Sequence, residues 1–396
     1  MEKKCILVGV TAGIAAYKIC SLVSSLKKKG HEVHVLMTKE AESFVGPLTF
    51  QTLSGQRVIQ DMFSVDFVPD VHHISLAKKA DAFVVAPATA NIIAKISHGI
   101  ADDMLTTTFL AAKCPKLIVP AMNTAMLENP ITQENIHRCK KYGMHILESD
   151  SGYLACGDVG KGRMPDPDVI EDALNAVMET DRFLEGKHVL VTAGPTCEDI
   201  DPVRYITNHS SGKMGYALAR QARNLGATVT LVSGETSLSQ PVGVNYISIH
   251  SAGDMANAVL SASDEQDVII MAAAVADYTP LTTAEEKIKK SDDDLNIPLK
   301  RTTDILYNLG KKKKENQILI GFAMETENLL DNAAEKLKKK NADYIIANSI
   351  REVGAGFGVD TNSVTILSEK ETKRLGLLSK EETAKEILKY CVGGER

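Results

Sequence analysis

Residues 5–38, CILVGVTAGIAAYKICSLVSSLKKKGHEVHVLMT, decide the fold of the first half of this chain. Cys5 to Val10 is an unbroken apolar run, the pattern of a strand buried on both faces. Gly13 to Gly30 reads as a helix with Ile14, Tyr17, Ile19, Leu22, Val23 and Leu26 on its apolar side. Glu32 to Met37 is the next strand, and it ends at Thr38. Strand, glycine-containing turn, helix and strand make the βαβ unit of a parallel sheet. The turn from Gly9 to Gly13 is G-x-x-x-G, which is not the dinucleotide fingerprint. It still sets backbone N–H groups at a helix N-terminus, which suits one phosphate. Thr38 is placed to reach the same ligand, so a mononucleotide is expected rather than NAD.

Outward from this unit the arrangement recurs. The strand Ala82 to Ala86 runs into Pro87-Ala-Thr-Ala-Asn91 and a helix, Ile92 to His98. Small residues at a strand's C-terminal edge leave space for a flat ring, and Thr89 and Asn91 supply hydrogen bonds. Lys116 to Val119 leads into Pro120-Ala-Met-Asn123. The Asn123 amide suits a substrate carboxylate, although for one such Asn taken alone a helix N-cap is the favoured reading. Upstream, His72 and His73 open a helix and point about 100° apart, so at most one faces a site. Then comes DSGYLACGDVGKGRMPDP, residues 150–167, with Cys156 among Gly152, Gly157, Gly160 and Gly162. A structural cysteine sits among apolar neighbours; this one is expected in a flexible polar loop, a lid or clamp over a site.

A helix from Asp166 to Thr180 and a polar connection, Asp181 to Gly186, lead to a second start. Lys187-His-Val-Leu-Val-Thr-Ala-Gly194 echoes Cys5 to Gly13, and strands Thr228 to Ser233 and Val268 to Ala273 follow at α/β spacing. Asn208-His-Ser-Ser-Gly-Lys-Met-Gly215 fails the Walker pattern at Thr207 and Met214, yet Ser-Ser-Gly before a helix still presents donors to phosphate oxygens. Asp277 after the strand is either a ligand or a helix cap. Lys287 and Lys289, two apart on an extended segment, point one way and suit phosphates. Ile318 to Thr326 reads as another buried strand, and Lys336, Lys339 and Lys340 follow on a helix.

The 396 residues are 44% hydrophobic and 24% charged, a soluble globular composition for two or three domains. A net charge of -6 argues against nucleic acid, and Lys311 to Lys314 read as a solvated helix end. Seven scattered cysteines without C-x-x-C speak against a disulfide framework or a zinc site. The apolar run near the N-terminus is too short for a secretory core, and no segment reaches the length of a membrane span, so a cytoplasmic protein is expected.

HHISLAKKAD, PATAN, PAMNTAM and ACGDVGKGRM together make the first half resemble the FMN-dependent cysteine decarboxylases, phosphopantothenoylcysteine decarboxylase above all. AGPTCEDIDPVRYITNHSSGKMG, AAAVADY, EKIKK and GFAMET make the second half resemble phosphopantothenate–cysteine ligase. In this order the halves resemble the bacterial bifunctional enzymes that make 4′-phosphopantetheine for coenzyme A. The implied fold is α/β, two consecutive doubly wound, Rossmann-like domains, the first of flavodoxin-like decarboxylase type. The expected boundaries are 1–185 and 186–396.

The resemblance implies FMN against Thr11, Ala12, Gly13, Ile14, Thr38, Thr89, Ala90, Asn91 and Ile92. It makes His73 catalytic, Asn123 the holder of the substrate carboxylate, and Cys156 the proton donor. Oxidation of the substrate thiol to a thioaldehyde lets CO2 leave, and reprotonation and rereduction follow. In the ligase half it implies CTP with Mg²⁺, metal ligands unknown, and an acyl cytidylate of 4′-phosphopantothenate that cysteine attacks. Lys287 neutralises charge as pyrophosphate leaves, and Asn208 assists the attack. Ala272, Ala273, Ala274, Asp277, Thr303, Asp304, Ile305, Leu306, Phe322, Lys336 and Lys340 contact the nucleotide. Lys339 receives no role. A homo-oligomer is implied, with trimeric decarboxylase and dimeric ligase halves. The rival readings are an idle flavin-binding regulatory protein and a decarboxylase of peptidyl C-terminal cysteine. ATP in place of CTP also stays open.

Overall fold

In the computed structural model, residues 3–60, 72–290, 294–325, 329–349 and 358–393 are described. Thr326, the last residue of the strand expected from Ile318, lies outside these residues. The chain divides into two compact units, 1–180 and 181–396.

The first unit runs β1 (Cys5–Val10), α1 (Ala16–Lys28), β2 (Glu32–Met37), α2 (Pro47–Ser54), α3 (His72–Lys79), β3 (Ala82–Ala88), α4 (Ala90–His98) and α5 (Met104–Ala111). It continues with β4 (Lys116–Pro120), α6 (Thr124–Glu128), α7 (Pro130–Lys141), β5 (His145–Ile146), β6 (Asp150–Tyr153), β7 (Val159–Arg163) and α8 (Pro167–Met178). Five strands form a parallel sheet in the order β2-β1-β3-β4-β5. Every residue of β1 and β3 is buried, because helices cover both faces. Leu7, Phe83, Val85 and Ile118 pack beneath residues of α3, α4, α5 and α7. On α1, Ile19, Leu22, Val23 and Leu26 are buried as expected, whereas Ile14 is 59% and Tyr17 58% exposed. Residues 13–15 form a turn, and the helix proper starts at Ala16, which turns those two side chains away from the core.

The second unit runs β8 (His188–Ala193), β9 (Cys197–Asp201), β10 (Arg204–Thr207), α9 (Lys213–Asn224), β11 (Thr228–Ser233), β12 (Asn245–Ser248), α10 (Ala252–Ala262), β13 (Val268–Met271), β14 (Tyr278–Pro280) and β15 (Leu299–Arg301). After these come α11 (Ile305–Lys312), β16 (Ile318–Glu325), α12 (Leu329–Lys340), β17 (Tyr344–Ser349), β18 (Thr361–Asn362), β19 (Val364–Leu367), β20 (Thr372–Arg374), β21 (Leu378–Ser379) and α13 (Lys380–Cys391). The sheet order is β12-β11-β8-β13-β16-β17-β19-β20. Its first six strands are parallel, and β19 and β20 extend it antiparallel. Apolar faces of α9 and α13 cover one side, and α10, α11 and α12 the other. Leu184, read as part of a polar connection, is 1% exposed in this core. Its N–H reaches Leu225 O at 3.0 Å.

Both units are therefore doubly wound. Strand order reverses between β1 and β3 in the first and between β8 and β13 in the second. In such sheets the crevice beyond the strands' carboxyl ends at that reversal is where ligands bind. Among the described residues no helix is long and apolar enough to cross a membrane.

Candidate functional site

At the reversal in the first unit, the loop after β1 is tied to the loop after β3. Thr11, 2% exposed, donates its hydroxyl to Pro87 O at 2.6 Å and accepts from Thr89 N–H at 3.3 Å. The Thr11 side chain is therefore spent on holding two loops together. Thr89 caps α4 by accepting from Ile92 N–H at 3.2 Å. Ile92 is 2% exposed and belongs to the core. Asn91 is exposed on the first turn of α4, and Ala90 is half-buried beside it. Among the described residues the N–H groups of Ala12, Gly13 and Ile14 donate to no protein acceptor. A Cβ on Gly13 would stand 3.6 Å from Pro87 Cγ, in ordinary contact, so the two loops lie side by side there. Thr38 stands at the end of β2 with its N–H on Val10 O at 3.1 Å, and its hydroxyl caps nothing. Bare backbone donors ahead of α1, with a small-residue shelf opposite, make a cradle for a phosphate and a flat ring.

The cysteine stretch forms a β-hairpin rather than a plain loop. Strands β6 and β7 pair antiparallel, and the tip closes through Leu154 N–H to Asp158 O at 2.8 Å and Gly157 N–H to Leu154 O at 2.9 Å. Its base is fixed on the loop after β4. Met122 N–H reaches Gly162 O at 3.1 Å, and Thr124 Oγ1 donates to Lys161 O at 2.7 Å. Gly162 has φ +124°, and a Cβ there would lie 2.1 Å from Met122 O. The glycines are needed for this close approach, not for looseness.

This docking brings Cys156 to Asn123. Asn123 Nδ2 lies 3.4 Å from Cys156 Sγ and donates to Asp158 Oδ2 at 3.0 Å, while the thiol donates to the same carboxylate oxygen at 3.3 Å. Asn123 also caps α6, its Oδ1 accepting from Ala125 N–H at 2.9 Å. The cap uses the oxygen and leaves the amide protons for Cys156 and Asp158. Of the seven cysteines, all free, only Cys156 is exposed. Asp158 was missed in the sequence, although its position two residues beyond the thiol was the available signal. His73 is half-buried on α3, and among the described residues no hydrogen bond or ion pair joins it to Asn123 or Cys156.

In the second unit Ala272, Ala273 and Ala274 follow β13 at the reversal, all half-buried. Ala274 N–H reaches Gly194 O at 2.9 Å, and Ala273 N–H reaches Thr192 Oγ1 at 3.1 Å. Asn208 Nδ2 donates to Ala274 O at 3.0 Å. Asp277 is exposed and caps no helix, since β14 follows it; its carbonyl accepts Thr302 N–H at 3.0 Å. Thr302 Oγ1 reaches Ala276 O at 2.6 Å, so the loop through Thr303 and Asp304 lies against the loop after β13.

Asp304 caps α11 on Tyr307 N–H at 3.0 Å and pairs with Lys340. Burial opposes its ionisation, but Lys340 and that N–H overcome this and hold the carboxyl below its usual range. Ile305 and Leu306, 3% and 8% exposed, are core residues. Lys336 Nζ donates to Phe322 O at 2.8 Å. Lys336 and Lys340 thus turn towards β16 and α11, whereas Lys339 is exposed.

Lys287 and Lys289 are exposed on either side of Ile288, whose backbone is gripped at both ends. Its N–H donates to Asp201 Oδ2 at 3.1 Å, and its carbonyl accepts Arg204 Nη2 at 2.9 Å. Asp201, 1% exposed, also accepts Val203 and Arg204 N–H at 2.9 Å each. The Arg204 guanidinium and these N–H groups hold its carboxyl well below the ordinary range. Sequence reading missed this pair; D-x-x-R across a hairpin turn was its only trace. Among the described residues no hydrogen bond joins Lys287 to Asn208 or to the nucleotide-contact residues.

Residues 1–179 match the family described as Flavoprotein. Residues 184–393 match that described as DNA/pantothenate metabolism flavoprotein C-terminal domain. The chain is 50% identical over 392 residues to the "Coenzyme A biosynthesis bifunctional protein CoaBC" of Bacillus subtilis (strain 168), covering 98% of this chain and 96% of that one. To the protein of the same name from Vibrio vulnificus (strain YJ016) it is 45% identical over 388 residues, covering 98% and 96%. The crystal structure of the C-terminal domain of a protein of that name overlays on 53% of this chain and 96% of that one, at 47% identity and a TM-score of 0.46.

Proposed function

We infer the chemistry from one premise: the chain belongs to the family of bifunctional coenzyme A biosynthesis proteins. It is a phosphopantothenate–cysteine ligase and a phosphopantothenoylcysteine decarboxylase in one chain. The ligase, 186–396, joins 4′-phosphopantothenate to cysteine through an acyl cytidylate, with CTP taken as its Mg²⁺ complex. The decarboxylase, 1–185, converts that product to 4′-phosphopantetheine in the cytoplasm.

FMN fits the first unit, because the undonated N–H groups of Ala12, Gly13 and Ile14 suit its phosphate and the shelf at Thr89 to Asn91 suits its ring. Bound there, it supplies reversible two-electron oxidation at the carbon that bears the substrate's sulfur. Thr38 adds a hydroxyl, while Thr11 and Ile92 act through the backbone. Asn123 offers amide protons to the substrate carboxylate. Cys156 carries the proton that replaces CO2, and the β6–β7 hairpin keeps water from that step. His73 completes the site from a neighbouring copy, which accounts for its making no hydrogen bond to Asn123 or Cys156 among the described residues and calls for trimeric decarboxylase units; the ligase units dimerise.

In the ligase, Lys287 offsets charge on the departing pyrophosphate. Asn208 orients cysteine's amine at the loop after β13. Asp304, Lys336, Lys340 and the backbone of 272–274 hold the nucleotide.

The observation that carries this reading is the Asn123 amide against the Cys156 thiol at 3.4 Å, from residues 33 apart in the chain. The test incubates pure protein with 4′-phosphopantothenate, cysteine, Mg²⁺ and either CTP or ATP, with products read by mass spectrometry. 4′-Phosphopantetheine and CMP formed with CTP alone is the expected result. Turnover with ATP overturns the nucleotide assignment. A yellow protein that forms no product favours the idle flavin binder. A monomer by light scattering overturns the assembly.

A further inference from the structure

We propose that Asp158 competes with the substrate's carboxylate for the Asn123 amide and so disfavours the group about to be lost. This deepens the decarboxylase reading and rests on Asn123 as the carboxylate holder. The Asp158 Oδ2 atom accepts from Asn123 Nδ2 at 3.0 Å and from the Cys156 thiol at 3.3 Å. Asn123 Oδ1 is committed to the α6 cap, so the amide cannot flip and can present only N–H to this side. A substrate carboxylate must therefore be received by the same NH2 group that already serves a protein carboxylate.

The backbone that carries Asp158 is fixed. Its carbonyl closes the hairpin tip on Leu154 N–H at 2.8 Å, and Gly157 before it sits at φ +93°. The hairpin base is held by Gly162 O and Lys161 O on the loop after β4. Two carboxylates on one amide repel each other, and the repulsion ends as the reaction proceeds. The bond between the carboxylate carbon and its neighbour breaks, and CO2 leaves neutral. With the substrate thiol already oxidised to C=S, the two-electron oxidation that bound FMN would supply, the electron pair stays on the remaining carbon framework and moves on to sulfur, so no second anionic carboxylate remains beside Asp158. The cost falls on the bound substrate and not on the transition state or product, which raises both KM and kcat. Its second contact makes Asp158 a positioning residue for Cys156.

The experiment uses the FMN-loaded full chain, wild type and Asp158→Asn, which removes the charge and keeps an acceptor oxygen. Two ligands are titrated by calorimetry: the serine-for-cysteine analogue of the substrate, which keeps the carboxylate, and 4′-phosphopantetheine, which lacks it. The variant is expected to bind the analogue about 3- to 5-fold tighter, the size of a screened charge contact, with 4′-phosphopantetheine unchanged. KM and kcat for decarboxylation should fall together. An unchanged or weaker affinity for the analogue, or equal shifts for both ligands, overturns the proposal. Asp158→Ala must tighten the analogue as well, since it too removes the charge. If neither ligand binds the wild type, the decarboxylase reading fails first and takes this inference with it.

Discussion

Asp201 accepts the backbone N–H of Ile288 at 3.1 Å across 87 residues of chain. With Arg204 on the Ile288 carbonyl, this fixes the segment that carries Lys287 while leaving the lysine's own side chain exposed. A catalytic charge on an irregular segment works only if the backbone beneath it is anchored. Asp201→Asn leaves Arg204 without its charged partner and loosens the anchor. We expect pyrophosphate release from CTP and 4′-phosphopantothenate to slow on the order of 100-fold. Decarboxylation of supplied phosphopantothenoylcysteine should be unaffected. Lys287→Gln should show the same split more severely. Equal loss of both activities would mean that Asp201 matters for folding alone.

Cys156→Ser replaces the thiol at the hairpin tip by a hydroxyl of similar reach but much weaker acidity. Asn123 and Asp158 keep their contact at 3.0 Å, so the site holds its shape. Decarboxylation should proceed and the final reduction should stall. Rapid quench with mass spectrometry should find a product short of CO2 and two hydrogens below 4′-phosphopantetheine. Full turnover by this variant would assign the proton to another group.

The strands around each order reversal were legible because parallel strands buried on two faces read as short apolar runs, whereas β5, β12, β17, β19 and β20 were not read. Val268–Met271 stops two residues before the apolar run does, since Ala272 and Ala273 leave the sheet to line the crevice. Ile14 and Tyr17 fit the helical period but stand ahead of, or at the very start of, α1, where the period no longer dictates burial. The hairpin at Cys156 was read as a loose loop because Gly160 and Gly162 suppress strand propensity. Their purpose, close approach to Thr124 and Met122, involves residues far away in sequence. Asp158, Asp201 and Arg204 escaped for a related reason: each leaves only a short local spacing, to Cys156 or within D-x-x-R, while the contacts that give them a role lie 35 to 87 positions away.

Gly215 shows how tightly the ligase crevice is packed from behind. It lies in the first turn of α9, and a Cβ there would stand 2.5 Å from Ala193 Cβ and 2.8 Å from Thr192 O at the end of β8. Backbone cannot yield as a flexible side chain does, so Gly215→Ala must push the helix off the sheet. Overpacking of this kind costs about 1–3 kcal/mol. The melting temperature of the second unit should fall about 2–4 °C for each kcal/mol. Ligase activity should fall with it, because α9 starts beside Asn208. An unchanged melt would mean that the helix start has slack the distances do not show.

Glu32 sets an acid limit on the first unit, far from the crevice. It lies at the start of β2, where Lys79 of α3 donates to its carboxylate and His34 Nε2 stands 2.8 Å away. Those two partners, Lys79 foremost, lower its pKa from 4.5 to about 2. Cys5 and Asp81 share this end of the sheet, at the strands' N-termini, the Asp81 carboxylate accepting Cys5 N–H at 2.7 Å. A carboxyl depressed by folding stabilises fully above its unfolded pKa and loses that contribution as pH falls towards its folded one. The contribution of Glu32 is therefore complete at neutral pH, erodes below about 4.5 and is gone near 2. Glu32→Gln removes it at every pH. Urea midpoints of wild type and variant should differ most at pH 7, converge through pH 4 and 3, and meet near 2. A gap that stays constant over that range would mean that packing of the side chain, rather than its charge, holds this end together.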